Sequence, residues 1–166
     1  MNDQARTDII LLHTKQREYG LRLVGDLSDD DMLAQPFEGV TMNHPAWILS
    51  HLNVYAPLLA DMLRANPVED PINARYGRGS RVESDPSEYL PRAELIQQFE
   101  DVHVDAVRAL EECPMERFEA PTPVERWRES VFPTISVLPA QFLVSHLGTH
   151  LGQLSAWRRA MGKPSV

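Results

Sequence analysis

Apolar residues recur along four long stretches of the chain at alternating steps of three and four. This spacing places side chains on one face of an α-helix. The first stretch runs from about Asn2 to Val24. Its inward row is Ile9, Leu12, Gln16, Tyr19 and Leu23, with the glutamine filling one apolar place. The pattern therefore predicts an amphipathic helix at the start of the chain.

The second predicted helix opens at "TMNHPAW", where Asn43 or His44 can cap it. Pro45 fits the first turn, whose N–H groups have no helical partner. Pro57 lies inside this helix and is expected to kink it or cut it short. The inward row is Trp47, His51, Tyr55, Leu58 and Met62.

The third predicted helix starts at "LPRAELIQQF" and stops at "CPM", because Pro114 disfavours helical geometry at the residue before it. Its inward row is Leu95, Phe99, Val102, Ala106 and Leu110. The fourth helix begins near Pro139, and Gly162 followed by Pro164 is its stop signal. The inward row of this last helix is Phe142, His146, His150, Gln153 and Trp157.

The connections 66–91 and 114–139 carry most of the prolines and are long for an antiparallel bundle, where about 2–8 residues are usual. Connections of this length can run along a whole bundle, so helices that are neighbours in sequence need not be antiparallel. No stretch alternates as a strand does. The sequence predicts one all-α domain over residues 1–166, a four-helix bundle with long connecting loops.

Charge and composition argue against several classes of protein. A formal net charge of −8 argues against a protein that grips nucleic acid through its phosphates. No apolar stretch approaches the length of a membrane span, and "MNDQARTDII" has no basic segment leading into an apolar one. The single cysteine, Cys113, excludes an internal disulfide. We therefore expect a cytoplasmic protein that binds neither nucleic acid nor membrane.

Three histidines occupy inward positions. His146 and His150 are four residues apart, so their imidazoles can converge on one point from a single helix face. His51 lies on the inward row of another helix, between Trp47 and Tyr55. Buried imidazoles need polar partners, and a shared cation would satisfy all three. The alternative is that they are core histidines bonded to the backbone or to water.

Two familiar metal sites are excluded by the residues present. A zincin needs a glutamate directly after the first histidine, where this chain has Leu147. A di-iron carboxylate site needs two Glu-x-x-His units, and only the pair of Glu100 and His103 has that spacing.

The segments "HPAWILSHL" and "HLGTHLGQLSAWRRAMGKP" resemble the DinB-like (YfiT-like) superfamily of helical bundles, whose last helix carries H-x-x-x-H-x-G-Q. The resemblance implies that His51, His146 and His150 bind a divalent metal ion. It also implies an up-down-down-up helix order and a homodimer. The better understood members are thiol-dependent transferases or isomerases that use bacillithiol, mycothiol or a similar small thiol, while many others have no assigned reaction.

Further residues can contribute to such a site. Gln153 shares a face with His150 and can orient a ligand, or it can pack against the first helix. Tyr55 can place its hydroxyl near the open metal positions, or it can be a core tyrosine. His44 is expected to cap its helix, and His103 is expected at the bundle edge. His13 can line the cavity or be an ordinary core or surface histidine.

The segment "RYGRGSR" carries Arg75, Arg78 and Arg81. These arginines can meet an anionic substrate, such as the carboxylates of a small thiol, but a solvated loop that balances nearby acids is the favoured interpretation. Cys113 ends the third helix and is expected to be a small buried residue rather than a nucleophile.

Together these observations favour a mononuclear metalloprotein that activates a thiol or water for attack on a small electrophile. Nickel, zinc, iron and cobalt all suit imidazole ligands. The alternative is a non-catalytic metal-binding or protein-interaction bundle.

Overall fold

Four long helical segments occupy the stretches that the apolar spacing predicts. The computed structural model describes residues 1–166. Helix α1 spans Asp3–Gly25, α2 spans Pro45–Leu63 and α3 spans Arg92–Glu112. The fourth segment, residues 138–160, is called the C-terminal helix below. The predicted all-α fold is confirmed, and no residue belongs to a β-strand beyond one isolated bridge.

The C-terminal helix is not uniform. It begins with a short α-helical turn, α5, at Leu138–Ala140, continues as a π-helix over Gln141–His146, and becomes regular in α6 at Leu147–Ala160. The connections hold a further short helix, α4, at Glu125–Arg128. They also contain 3₁₀ turns at Asp30–Leu33, Pro71–Asn73, Pro86–Glu88, Met115–Glu119 and Ile135–Val137.

Helix α2 starts as predicted but does not stop early. Nδ1 of His44 accepts a hydrogen bond from the Trp47 N–H at 3.2 Å, so His44 is the N-cap and Pro45 follows in the first turn. The helix continues through Pro57 to Leu63. The prediction that Pro57 shortens the helix is therefore wrong, because most of the surrounding α2 residues are buried and packing holds the helix together.

Contacts between side chains fix the direction of α2 relative to α3. Asn53 donates to Gln98 at 3.0 Å, and Arg64 forms two hydrogen bonds with Asp105. A residue in the middle of α2 thus meets the first half of α3, and the residue that caps the end of α2 meets the second half of α3. The two helices are parallel, which the long connection between them permits.

Helix α1 is antiparallel to α3 and parallel to the C-terminal helix. Arg6, near the start of α1, donates to the carbonyl of Cys113 just after the end of α3. His13 contacts the Leu143 carbonyl, and Arg158 donates to the Leu23 carbonyl. The helix order is therefore up-down-down-up, as the family resemblance implies.

The core consists of two apolar clusters that follow each other along the bundle. One includes Tyr55 of α2 and Phe142 of the C-terminal helix. The other includes Trp47 of α2 and Leu147 of the C-terminal helix. The His51 ring lies between Tyr55 of the first cluster and Trp47 of the second, at 4.9 Å and 4.7 Å between ring centroids. The polar site therefore sits at the junction of the two clusters.

Two predicted placements are wrong. Leu12 is 51% exposed, and His13 beside it is fully buried. His103, expected at the bundle edge, is only 2% exposed and stacks on His13 with ring centroids 5.1 Å apart. Both errors have one cause. A prediction from apolar spacing assigns leucine to the core and histidine to the surface, and these positions are the reverse.

None of the helices combines the length and the apolar character that crossing a membrane requires.

Candidate metal centre

Three histidines converge from two elements of the bundle. His51 comes from the middle of α2, His146 ends the π-helical segment and His150 lies one turn later in α6. One ring nitrogen from each can be chosen so that all lie within 4.8 Å of one another. His51 is 4% exposed and His150 is 8% exposed. The structure thus brings together the three residues that the sequence singles out.

The tautomer of His51 follows from its partner. Its Nδ1 lies 2.6 Å from the carbonyl oxygen of Tyr76, which can only accept, so Nδ1 carries the proton. The lone pair is therefore on Nε2, which faces Nε2 of His146 at 3.1 Å. Two nitrogens bound at about 2.0–2.1 Å to one tetrahedral ion lie roughly 3.3 Å apart. The observed separation fits two ligands of a single ion.

His150 is oriented by an amide. Its Nδ1 lies 3.1 Å from Oε1 of Gln153, one turn further along the helix. The same oxygen accepts a hydrogen bond from Nδ2 of Asn43 at 3.0 Å. Because the oxygen is an acceptor in both contacts, Nδ1 of His150 is the protonated nitrogen and Nε2 keeps its lone pair. A hydrogen bond from Nδ1 of a histidine to a fixed oxygen is the usual support of a metal-binding imidazole.

Burial keeps the three imidazoles neutral. Desolvation lowers the pKa of His51 below its ordinary value. Desolvation, followed by the proximity of His150 and His51, lowers the pKa of His146 to about 3. The pKa of His150 is lowered to about 4 by desolvation and by His51. All three side chains are therefore in the deprotonated form that binds metal ions at neutral pH.

The π-helical segment sets the position of His146. A π-helical turn bonds residue i to residue i+5, so it holds more residues than an α-helical turn and changes the angle at which side chains leave the axis. His146 is its last residue, and Phe142 in the same segment packs edge-on against the His146 ring at 5.9 Å. Segments of this kind are frequent at functional sites.

A pocket of about 360 Å³ opens on the three histidines. This volume falls in the range typical of small-molecule sites. Aromatic side chains form much of its wall, and no aspartate or glutamate lines it. The lining residues are Trp47, His51, Tyr55, Arg78, Gly79, Arg126, Trp127, Phe132, Gln141, Phe142, His146 and His150.

Tyr55 brings a hydroxyl to this pocket. Its oxygen accepts a hydrogen bond from the Arg78 main-chain N–H at 3.1 Å. Burial raises the pKa of Tyr55 above its ordinary value, so the hydroxyl keeps its proton at neutral pH. The Tyr55 ring lies 4.7 Å from that of His146, centroid to centroid. A protonated hydroxyl is thus available to donate to a molecule bound next to the histidines.

A larger pocket, of about 470 Å³, lies elsewhere, around the end of α2 and the end of α3. Its only thiol is Cys113, which is 4% exposed and whose pKa is raised by burial. Cys113 is therefore a buried, protonated residue outside the histidine pocket, as the sequence predicts. The smaller pocket is the better candidate site because it alone contains converging ligand nitrogens.

The remaining histidines do not join the cluster. His44 uses Nδ1 to cap α2, and its Nε2 donates to the Glu83 carbonyl at 2.9 Å. His13 and His103 stack on each other between α1 and α3. The prediction that His44 is a cap is confirmed.

The arginines of the first connection separate into two groups. Arg75 pairs with Glu88, and Arg81 lies 3.7 Å from a Glu83 carboxylate oxygen. Arg78 instead lines the histidine pocket. The second connection also reaches the pocket, through Arg126, Trp127 and Phe132, which the sequence did not single out. The sequence feature that could have indicated this contribution is the presence of aromatic residues within a connection rich in prolines.

A comparison with protein families finds one match. The model of the DinB superfamily matches residues 12–154, which is most of the chain and includes all three histidines. No curated protein matches the chain.

Proposed function

The chain belongs to the DinB superfamily, and on this premise we propose that it is a metal-dependent enzyme. In the proposal His51, His146 and His150 hold one divalent ion, and the adjoining pocket binds a small thiol and a small electrophile. The reaction is transfer of the thiol sulfur to the electrophile.

One observation carries the metal part of the proposal. The Tyr76 carbonyl fixes the proton of His51 on Nδ1, and Nε2 then faces Nε2 of His146 at 3.1 Å. Gln153 orients His150 in the same way. Three neutral imidazoles leave the double positive charge of an ion intact, and this charge favours the anionic form of a thiol or water.

The position of the pocket supports catalysis over a purely structural role. Structural zinc sites are closed by four protein ligands, whereas catalytic sites keep a position open. Here no cysteine, aspartate or glutamate completes the cluster of three histidines. The same three side chains form part of the pocket wall, so a small molecule can reach them.

The residues of the pocket suit sulfur transfer. The thiol loses its proton to solvent water, its sulfur forms a bond to a carbon of the electrophile, and the bond from that carbon to the leaving group breaks, with the leaving group keeping the electron pair. Tyr55 can donate a hydrogen bond to the leaving group, because its own oxygen already accepts from Arg78 and its proton is free. No carboxylate lines the pocket, so the chain offers no acidic residue as a general base.

The test begins with the metal. Protein purified without chelators is analysed by inductively coupled plasma mass spectrometry, and about one equivalent of nickel, zinc, iron or cobalt is expected. The metal-loaded protein is then mixed with monochlorobimane and, separately, bacillithiol, mycothiol or glutathione. Conjugation faster than the uncatalysed rate with at least one thiol is expected, together with its loss after chelation.

Two negative outcomes are distinct. No bound metal would overturn the whole proposal. One equivalent of metal without turnover of any thiol would overturn the transferase part and favour the non-catalytic metal-binding bundle. Pairing of two copies and a cytoplasmic location stay predictions.

A further inference from the structure

We propose that Arg78 binds a carboxylate of the small molecule that enters the histidine pocket. This inference rests on the proposed function, because it names the charge of the ligand that the same site takes. The carboxylate can belong to the thiol or to the electrophile. In either case the guanidinium of Arg78 is the group that recognises it.

The segment that carries Arg78 is fastened to the site at three points. The Tyr76 carbonyl accepts from His51, the Arg78 N–H donates to the Tyr55 hydroxyl at 3.1 Å, and Oγ of Ser80 accepts from Nε1 of Trp47 at 3.1 Å. The three partners, His51, Tyr55 and Trp47, share the inward face of α2. Residues 76–80 therefore lie along the site in one defined register.

Two glycines make this path possible. A Cβ on Gly77 would lie 2.0 Å from the carbonyl oxygen of Pro71, so no other residue fits there without movement of the backbone. Gly79 has φ +84°, a conformation that glycine adopts without strain. Both flank Arg78. The sequence "YGRGS" thus holds the main chain of Arg78 beside the pocket, and the exposed side chain extends from this fixed position.

Arg78 is the unpaired member of its cluster. Arg75 pairs with Glu88, and Arg81 lies near Glu83, whereas the guanidinium of Arg78 has no ion pair and no hydrogen bond to the protein. An arginine is a planar donor of paired hydrogen bonds, which matches a carboxylate. Its free donors are available to a ligand in the pocket that it lines.

The charge around the pocket agrees with an anionic ligand. The chain has 24 acidic and 16 basic residues, yet the pocket is lined by two arginines and by no carboxylate. The second arginine, Arg126, is bound by Asp70 through Nε and Nη2, which leaves Nη1 free. Each long connection thus contributes one guanidinium to the same pocket.

The rest of the wall indicates the body of the ligand. Trp127 and Phe142 pack together at 5.4 Å between centroids, and Phe132 lies edge-on to Trp127. These rings offer apolar surface between the arginines and the histidines. The ligand class is therefore a small carboxylate with an aromatic or aliphatic body.

The test compares Arg78→Ala with Arg81→Ala in zinc-loaded protein. Arg81 is a matched control because it lies in the same loop, is 88% exposed and is outside the pocket. Zinc is used because thiols do not reduce it. Isothermal titration calorimetry measures binding of 3-mercaptopropanoate and its neutral amide, and of benzoate and benzamide. The zinc content of every sample is measured in parallel.

Arg78→Ala is expected to weaken carboxylate binding about tenfold and to leave amide binding unchanged. Arg78→Lys should fall between the two, since it keeps the charge without the planar pair of donors. Arg81→Ala should bind all four probes as the wild type does. If the carboxylate contacts only the metal ion, the ratio of carboxylate to amide affinity will be the same in every variant. That result would overturn the proposal.

Failure of this inference and failure of the proposed function are distinguishable. Normal zinc content with carboxylate binding that does not depend on Arg78 rejects the inference alone. Absence of zinc binding rejects the proposed function. Binding of benzoate and benzamide to the metal-free protein then still shows whether Arg78 recognises a carboxylate. Equal loss of carboxylate and amide binding in Arg78→Ala would show a collapsed loop and overturn the recognition role. If Arg78→Ala weakens binding of 3-mercaptopropanoate but not of benzoate, the recognised carboxylate belongs to the thiol.

Discussion

His51 donates its Nδ1 proton to the main-chain carbonyl of Tyr76 at 2.6 Å. This contact joins a helix to a loop, and it decides which nitrogen of His51 faces His146. The loop that orients the histidine also carries Arg78, two residues further on. The proposed metal ligands and the proposed recognition of the substrate therefore depend on one short segment.

Removal of one ligand should empty the metal site. In His146→Ala the pair of facing nitrogens is lost, because Nε2 of His146 is the partner of Nε2 of His51 at 3.1 Å. Metal content measured by inductively coupled plasma mass spectrometry should fall from about one equivalent to a small fraction of that. Two remaining imidazoles hold a divalent ion much more weakly than three.

His44→Ser is the matched control for this experiment. His44 is also a buried histidine of the same region, and serine can replace its capping role at α2. The control should keep its metal and its helical circular dichroism spectrum. If both variants retain the metal, or if both lose it, the assignment of His146 as a ligand is wrong.

Gln153 should tune affinity without being a ligand. Its Oε1 accepts from Nδ1 of His150, so Gln153→Leu removes the acceptor that fixes the imidazole. Loss of such a support typically weakens metal binding about 10–100-fold. Competition with a chromogenic chelator measures the change. Gln153→Glu keeps an oxygen acceptor and should bind the metal more tightly than Gln153→Leu, whereas equal affinities would assign Gln153 to packing alone.

The helical part of the site could be predicted from the sequence because it follows a period. His51, His146 and His150 lie on inward rows that the apolar spacing defines. The π-helical segment over Gln141–His146 was not predictable in this way, since its hydrogen bonds depend on the packing of neighbouring helices. His146 nevertheless belongs to the cluster, so the predicted convergence of the three histidines is confirmed.

The loop part of the site has no such period. The Tyr76 carbonyl reaches His51, and Arg78 reaches the pocket, through turns whose path depends on Gly77 and Gly79. Glycines in a sequence indicate a turn but not where it leads. The sequence favours a solvated loop for Arg78 over a binding site, whereas the structure places this residue in the pocket lining.

Acid should destabilise the protein through its second histidine pair. His103 is fully buried, and burial lowers its pKa well below the ordinary value, with His13, Arg17 and His146 adding to the effect. Below about pH 6.5 the unfolded chain binds a proton on this residue while the native chain does not. Stability therefore falls as pH falls, by about 1.4 kcal/mol per pH unit for this one group until the pKa of the folded state is reached.

Urea unfolding between pH 7 and pH 5, in the presence of a chelator, measures this dependence. His103→Leu removes the titrating group. As the pH falls, the free energy of unfolding of this variant should decrease by about 1.4 kcal/mol less per pH unit than that of the wild type. At pH 7 the variant should be at least as stable, because leucine suits a buried apolar site. Parallel curves for the two proteins would show that His103 does not titrate between its folded and unfolded states. The other histidines are present in both proteins, so the difference between the curves reports His103 together with its interaction with His13 and His146.

Arg158 should be among the most costly residues to remove outside the site. It is 2% exposed, and its guanidinium donates to the Leu23 carbonyl at 2.8 Å, to the Pro164 carbonyl at 3.0 Å and to both oxygens of Asp26. These contacts join the end of α1 to the end of α6. Arg158→Ala removes them together and leaves the buried Leu23 carbonyl oxygen without this donor, which should cost about 2–4 kcal/mol. Urea unfolding measures the loss, and Arg159→Ala, at the exposed neighbouring position, should change stability by less than about 0.5 kcal/mol. Equal effects of the two substitutions would mean that the buried contacts of Arg158 add little to the free energy of unfolding.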